Sequence, residues 1–300
     1  MTRVPQIRWL PDGRRLHLQD GPIDLLVEAV GSEADRRAAF EAAARRFTGL
    51  LDELCGELPL LRQAADPKRC PLQGAVARRM HEAVAPFAAS HFVTPMAAVA
   101  GSVADEILAA MTGAARLERA YVNNGGDIAL YLADGERFAI GLMDRPDALG
   151  SMRTVAIDAD DPSRGIATSG RHGRSFSLGI ADAVTVLAAT ASQADAAATI
   201  VANAVDLPGH PAVLRCPAQD LQPDSDLGAR LVTRGVGELS EPEIATALES
   251  GAACARRLLA TGLIESAILR LHGETVVVAA KAIDRAGLRA PAAIERLMHV

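Results

Sequence analysis

Short runs of alternating apolar and polar residues fill the first thirty positions of the chain. The turn clusters Pro11-Asp12-Gly13 and Gln19-Asp20-Gly21-Pro22 separate these runs. Period-two alternation bounded by turn residues is typical of strands that pair with their neighbours along the chain. The pattern therefore predicts a strand meander over residues 5–30.

The apolar spacing then changes to every third or fourth residue, which predicts helices. Ser32 is a suitable N-cap for a first helix that continues to Leu54, and residues 73–88 form a second. Thr94 and Pro95 suit the cap and first turn of a third helix. Residues 97–105 form a small-residue segment, whose Ala, Gly and Ser residues allow either another backbone or a ligand to come close; both interpretations stay open.

Alternation returns between residues 120 and 190. Asp134-Gly135 predicts a hairpin that joins strands at 128–132 and 138–142. Two more strands are predicted, at residues 152–157 and 182–187, and a helix follows from Ser192 to about Ala204.

The last third of the chain is less regular. Short strands and turns are predicted over residues 211–239, and Ser240 and Glu243 form a capping box for a helix that continues to about Ala260. A final hairpin turns at His272-Gly273. We expect one domain over residues 1–300, with a separate C-terminal subdomain over 206–300 as the alternative.

Composition narrows the class of protein. Hydrophobic residues make up 49% of the chain and aromatic residues 3%, and the net charge is -6. A sizeable core can form, but stacking surfaces and a basic stripe for nucleic acid are lacking. No secretory signal is evident and no uninterrupted apolar run has the length of a membrane span. These features predict a cytoplasmic protein without membrane or nucleic-acid partners, either monomeric or a homo-oligomer.

The four cysteines stand far apart, without a C-x-x-C pair or a histidine at zinc-ligand spacing. We therefore expect free thiols. They are Cys55, Cys70, Cys216 and Cys254.

A glycine-rich loop lies at the centre of the chain. Gly125 and Gly126 leave backbone amides open to a ligand, and the flanking side chains can cap the loop or bind a polar group. The alternative is a turn that redirects one strand. The loop residues are Asn123, Asn124, Gly125, Gly126 and Asp127.

A second polar loop begins at Thr168 and continues to about residue 177. Hydroxyls, open backbone and guanidinium groups together are what a phosphate or pyrophosphate needs. An exposed polar hairpin is the alternative, and His172 is either a solvent-facing residue or an acid or base. The candidate binding residues are Thr168, Ser169, Gly170, Arg171, Arg174 and Ser175.

Asp195 and Thr199 are four residues apart on a predicted helix, so their oxygens project from one face. They could bind Mg²⁺ beside a ligand phosphate. The alternatives are that Asp195 stabilises the helix N-terminus and that Thr199 bonds to a carbonyl of its own helix.

Residues 121–128, 167–170 and 194–199 occur in the order and spacing of the ApbE-like superfamily. Its founding members are FAD:protein FMN transferases. The chain most resembles a branch with the motifs TPMAAVAG, NNGGDI and TSGxxGRSFSLG, which stand here at residues 94–101, 123–128 and 168–179. The resemblance covers residues 15 to 205.

The resemblance implies that Asp195 and Thr199 hold Mg²⁺ against a dinucleotide pyrophosphate, with a main-chain carbonyl near Ala97 as a third ligand. It further implies that the two polar loops line a pocket for FAD or FMN. The implied fold is α+β, with helices packed on antiparallel sheets, and is related to the tunnelling fold.

The chain also departs from the transferases. Thr94 and Ala100 replace an acid and a lysine, and the H-I-x-x-P segment is missing from residues 176–181. The leading hypothesis is therefore an enzyme that keeps the nucleotide and Mg²⁺ site but acts on a small molecule, outside standard FMN transfer. The alternatives are a non-catalytic flavin or nucleotide carrier and a component of sulfur transfer in homocysteine biosynthesis, with the cysteines as carriers.

Overall fold

The computed structural model describes residues 4–142 and 153–279. The strands are β1 (Gln6–Trp9), β2 (Arg15–Asp20), β3 (Ile23–Val30), β4 (Arg119–Asn124), β5 (Asp127–Leu132), β6 (Arg137–Leu142), β7 (Arg153–Asp158), β8 (Gly165–Ser169), β9 (Ala183–Ala188), β10 (Val213–Pro217), β11 (Leu231–Val236), β12 (Ser266–Leu271) and β13 (Glu274–Ala279). The helices are α1 (Glu33–Phe47), α2 (Leu50–Gly56), α3 (Leu58–Leu61), α4 (Ala75–Ala88), α5 (Val99–Ala114), α6 (Ala191–Ala204), α7 (Ala218–Leu221) and α8 (Glu241–Ala260). A 3₁₀ turn, Pro95–Ala98, leads into α5.

Nine of the described strands form one sheet in the order β1-β2-β3-β4-β5-β8-β9-β12-β13. Every neighbouring pair is antiparallel. Helices α1, α5, α6 and α8 pack on successive parts of this sheet. The predicted α+β class, with antiparallel strands and packed helices, is confirmed.

Helices pack on one face of the sheet, and strands β6 and β7 pack on part of the other face. Ala120 and Val122 of β4 belong to the core beneath α1 and α5. Tyr121, between them, points to the other face and packs with Ile140 of β6 and Ile157 of β7. Strand β4 is therefore buried on both faces, because the paired strands β6 and β7 cover the face opposite the helices.

Several predicted elements are confirmed. The meander of residues 5–30 forms β1 to β3, and the Ser32 hydroxyl accepts from the Asp35 amide at 3.2 Å as the cap of α1. Ser240 and Glu243 make both bonds of the capping box of α8. The β12–β13 hairpin turns at His272 and Gly273, both with positive φ.

Two predictions of connectivity were wrong. Asp134-Gly135 does not join β5 and β6 as a hairpin, because β8 occupies the edge of β5 and β6 pairs with β7 instead. The first helix does not continue to Leu54, because Gly49 takes the left-handed conformation at φ +83° and separates α1 from α2. The first residue of the strand predicted at 152–157 lies outside the described residues.

Residues Pro95–Ala114 are long and apolar enough to cross a membrane by length and composition alone, although Asp105 and Glu106 interrupt the apolar run. In the fold, this stretch packs against α1, α4, α6 and strands β4 and β5. Val103, Ala104, Ile107 and Met111 are fully buried there. The contacts are those of a helix in a protein core.

Candidate functional site

The central glycine loop is a two-residue turn between β4 and β5. Gly125 and Gly126 have φ of +64° and +110°, which other residues rarely adopt. The Asn123 side-chain oxygen accepts from the Gly126 amide at 2.8 Å, and the Asn124 side chain donates to the Ala100 carbonyl at 3.1 Å. Both asparagines are buried and hold the turn against α5, while the glycines face outward.

Asp127 joins the turn to the second polar loop. It is the first residue of β5 and is half-buried, and its Oδ1 accepts from the Thr168 amide at 3.2 Å. Thr168, at the end of β8, shares a hydrogen bond of 2.9 Å with the Thr185 hydroxyl. The beginning of β5 and the end of β8 therefore meet beside the glycine turn.

Asp195 lies in the second turn of α6 and approaches the beginning of α5. Its Oδ2 accepts from the Gly101 amide at 3.0 Å. Amides in the first turn of a helix lack intrahelical partners, so a carboxylate there is stabilising. Asp195 thus caps α5. The alternative interpretation, in which Asp195 stabilises the N-terminus of its own helix, is not realised.

Thr199 lies one turn further along α6, on the same face as Asp195 and half-buried. Its hydroxyl makes no hydrogen bond within the described part of the chain, so the alternative of a bond to a carbonyl of α6 is not realised. The hydroxyl is free to meet a ligand or an ion.

Helices α5 and α6 cap each other. Asp105 of α5 accepts from the amides of Ala191 and Ser192, the first residues of α6, at 3.0 and 2.9 Å. This is the counterpart of the bond from Gly101 to Asp195. Gly101 allows the close approach, because a Cβ there would lie 2.2 Å from the Ala191 carbonyl oxygen.

Three carboxyl groups near these helix ends have raised pKa values. Burial, followed by the charge of Asp195, raises the pKa of Asp127 well above its ordinary value. Burial also raises the pKa of Asp195, against the amides of Gly101 and Ala100. The pKa of Asp105 is raised by burial and held back by the Ser192 and Ala191 groups. Asp127 and Asp195 therefore carry charge at a cost that a nearby cation would relieve.

The predicted third metal ligand, Ala97, lies in the 3₁₀ turn, which packs against α6. Thr94 is not the side-chain cap that was predicted, because its hydroxyl donates to Asp226 at 2.5 Å. No cluster of three or more His, Cys, Asp or Glu side chains among residues 4–142 and 153–279 is placed to hold a metal ion. Two acidic side chains with ligand phosphates are still a usual Mg²⁺ environment.

The second polar loop is fixed at its base. Arg171 donates to Asp182 Oδ1 from Nε and Nη2 at 2.9 and 2.5 Å, and His172 Nε2 lies 3.3 Å from the same oxygen. Arg174 and Ser175, further along, are exposed, and Ser169 is half-buried. The two arginines of this loop therefore have different surroundings.

Sequence reasoning did not assign a role to Asp105, Asp182 or Asp226. Each carboxylate binds a group that is remote in the chain, such as Ser192 for Asp105, His272 for Asp182 and Thr94 for Asp226. No local motif marks such partners.

The four cysteines form no disulfide with one another. Cys55 and Cys70 are exposed, Cys216 is half-buried and Cys254 is buried, and all four are free thiols. Burial raises the pKa of the Cys254 thiol, which disfavours the reactive thiolate.

The fold and the site together define an α+β protein with a glycine-rich turn held beside the beginning of α5, where two helices cap each other. Residues 7–277 match the family model described as AbpE bacteria, and the chain belongs to this family. The match confirms the ApbE-like resemblance. A UPF0280 protein of Methanopyrus kandleri is 35% identical over 182 residues, which are 60% of this chain and 69% of that protein. A UPF0280 protein of Methanothermobacter thermautotrophicus is 38% identical over 117 residues, 39% of this chain and 44% of that protein.

Two solved structures are similar at low identity. The flavin transferase ApbE of Vibrio cholerae, a mutant form, is 14% identical with a TM-score of 0.49, and the match covers 91% of this chain and 99% of that one. The flavinyl transferase ApbE of Pseudomonas stutzeri is 13% identical with a TM-score of 0.43, covering 94% and 96%.

Proposed function

We propose that this protein binds a flavin nucleotide, FAD or FMN, together with Mg²⁺, between the glycine turn, the end of β8 and the α5–α6 junction. The observation that carries the proposal is the position of two acidic side chains beside an open glycine turn. Asp127 begins β5 directly after the turn, and Asp195 of α6 binds the Gly101 amide, next to the Ala100 carbonyl that accepts from Asn124 of the turn. Burial, followed by the charge of Asp195, raises the pKa of Asp127.

A divalent cation accounts for this pair. The two half-buried carboxylates repel each other, and a bound Mg²⁺ offsets that repulsion and attracts phosphate oxygens. The free hydroxyl of Thr199, one turn from Asp195, is a further oxygen ligand on the same helix face. The resemblance to ApbE-like proteins favours a flavin among the nucleotides with a pyrophosphate or phosphate.

The chemistry proposed is metal-assisted transfer on a small-molecule substrate. The metal and nearby cations would neutralise phosphate charge as it develops. Standard FMN transfer is disfavoured because Thr94 and Ala100 stand where the transferases carry an acid and a lysine. The Thr94 hydroxyl is moreover engaged with Asp226, and Ala100 has no side-chain functional group.

The first test is calorimetric titration of the purified protein with FAD, FMN and adenine nucleotides, with and without Mg²⁺. Asp195→Asn keeps an oxygen for the Gly101 amide but removes the charge, so Mg²⁺-dependent affinity should fall by at least about tenfold. Asp52→Asn, on the exposed face of α2, is the matched control and should bind as the wild type. If none of the nucleotides binds, or if Asp195→Asn binds unchanged, the proposal fails.

A second measurement separates an enzyme from a carrier. The small molecule that co-purifies is identified by absorbance and mass, and its conversion is followed with candidate acceptors. A yellow protein that releases its flavin unchanged in every assay would establish the non-catalytic alternative.

A further inference from the structure

We infer that Arg174 is the side chain that binds the phosphate group of the ligand, and that Arg171 and Asp182 are positioning residues that hold its loop. The inference rests on the proposed function and assigns different roles to two arginines that the sequence makes equivalent. The residues involved lie between the end of β8 and the beginning of β9.

The Arg171 guanidinium is already occupied. Two of its nitrogens donate to Asp182 Oδ1, and only 17% and 18% of the two side chains is exposed. The other oxygen, Oδ2, accepts from the His272 amide at 2.6 Å. Asp182 thus ties the loop to the β12–β13 turn, and Arg171 has little capacity left for a ligand.

The Arg174 guanidinium is in the opposite situation. It is exposed and forms no ion pair or hydrogen bond with any residue in the described ranges. It lies over the glycine turn, where a Cβ on Gly125 would be 3.5 Å from Nη1 and 3.6 Å from Cζ. Asp127, two residues along, binds the Thr168 amide instead.

The base of the loop fixes where Arg174 can be. The Arg171 amide donates to the Ala181 carbonyl at 2.9 Å, which closes the loop immediately before Asp182. Gly170 allows this closure, because a Cβ there would be 2.6 Å from the Asp182 carbonyl oxygen. With both ends of the loop tied, Arg174 is three residues from a fixed point.

Arg174 and the carboxylates of Asp127 and Asp195 belong to the same site but form no ion pair with one another. Such a site suits a phosphate that binds together with a metal cation. The carboxylates would hold the metal, and the planar guanidinium would bind two phosphate oxygens side by side. The site should therefore select phosphorylated ligands such as FMN over riboflavin, which has the same ring system without the phosphate.

The test compares FMN and riboflavin by calorimetry with Mg²⁺ present. Arg174→Gln should weaken FMN binding by at least about tenfold and leave riboflavin binding within about twofold, since one charge-assisted contact is lost. Arg69→Gln, an exposed arginine elsewhere on the surface, is the control for the change of net charge. Equal loss of both ligands, or no loss of FMN, would overturn the assignment.

A double-mutant cycle tests the positioning role. Asp182→Asn should weaken FMN binding in the wild-type background but cause no further loss when Arg174→Gln is also present. A merely structural Asp182 would weaken riboflavin as well, and its effect would add to that of Arg174→Gln. Either result would remove Asp182 from the proposed role.

Inorganic pyrophosphate with Mg²⁺ separates this inference from the proposed function. If pyrophosphate binds and loses affinity in Arg174→Gln while no flavin binds, the arginine assignment holds and the flavin proposal fails. If Arg174→Gln binds FMN and pyrophosphate as the wild type does, the assignment fails and the flavin proposal stands. If the wild type binds none of these ligands, both are wrong.

Discussion

Single residues decide how closely the parts of the site approach one another. Gly101 is one such case, because the three atoms nearest to a Cβ there would be backbone atoms of α6, at 2.2, 2.5 and 2.8 Å. Backbone atoms cannot move aside as a flexible side chain does. Of the two interpretations of the small-residue segment 97–105, tight helix packing is therefore realised at Gly101, and ligand contact remains a prediction for the rest.

Gly101→Ala should lower the free energy of unfolding by about 1–3 kcal/mol, because the added methyl group forces α5 and α6 apart. Gly113→Ala is a matched control on the same helix, where nothing lies within 4 Å of the new Cβ. Gly113→Ala should leave the free energy of unfolding unchanged or raise it by up to about 1 kcal/mol. Urea denaturation of the two variants measures both, and equal stability of the variants would contradict the packing argument.

At the scale of single elements, local signals predicted most of what forms. The cap at Ser32, the capping box at Ser240 and the turn at His272-Gly273 were all predictable, because each depends on residues within a few positions of one another. The partner of a strand was not predictable in this way. Asp134-Gly135 does mark a turn, but alternation in β6 does not reveal whether its partner is β5 or β7.

The capping box of α8 gives a prediction about pH. The Ser240 amide, which donates to Glu243 at 2.7 Å, is the main cause that lowers the pKa of Glu243 to about 2. Because the pKa of Glu243 is lowered in the folded protein, its ionised carboxyl group stabilises the fold fully at pH values above the ordinary pKa of 4.5. This stabilisation is lost as the pH falls towards 2.

The Glu243→Gln variant cannot titrate at this position. The wild type should therefore lose its advantage in unfolding free energy over this variant as the pH falls from 6 to 2.5, because only the wild type can protonate at this position. Glu241→Gln, in the same first turn but outside the capping box, should show a smaller change. Urea midpoints at several pH values measure the difference, and a pH-independent gap for Glu243→Gln would refute the linkage.

At the scale of the whole molecule, the site is assembled by pairings between remote parts of the chain. The motifs identified Asn123, Asp127 and Asp195 as candidates because glycine turns and helix spacing are visible in sequence. The reciprocal caps of α5 and α6 and the anchor at Asp182 were not visible, since each depends on how the sheet brings distant segments together. Local chemistry was thus predictable, and the partners of each group were not.

We propose that residues 206–279 unfold together with the rest of the chain, because they share the nine-stranded sheet with it. β12 pairs with β9, and Leu269 of β12 lies in one buried cluster with Val201 of α6 and Leu248 of α8. Trp9, the single tryptophan, packs on Phe40 of α1 at a ring distance of 4.8 Å and reports on the N-terminal part. One cooperative unit would transmit a loss of stability at Leu269 to the fluorescence of Trp9.

Leu269→Ala should lower the unfolding free energy measured by Trp9 fluorescence by about 2–5 kcal/mol, through lost burial and the remaining cavity. Leu214→Ala, which removes the same atoms from a residue that is 64% exposed on β10, should change it by no more than about 0.5 kcal/mol. Far-ultraviolet circular dichroism follows the helices in the same titrations. If Leu269→Ala leaves the Trp9 midpoint unmoved while the helical signal divides into two transitions, residues 206–279 unfold as a subdomain of their own, because their core then contributes nothing to the stability of the meander.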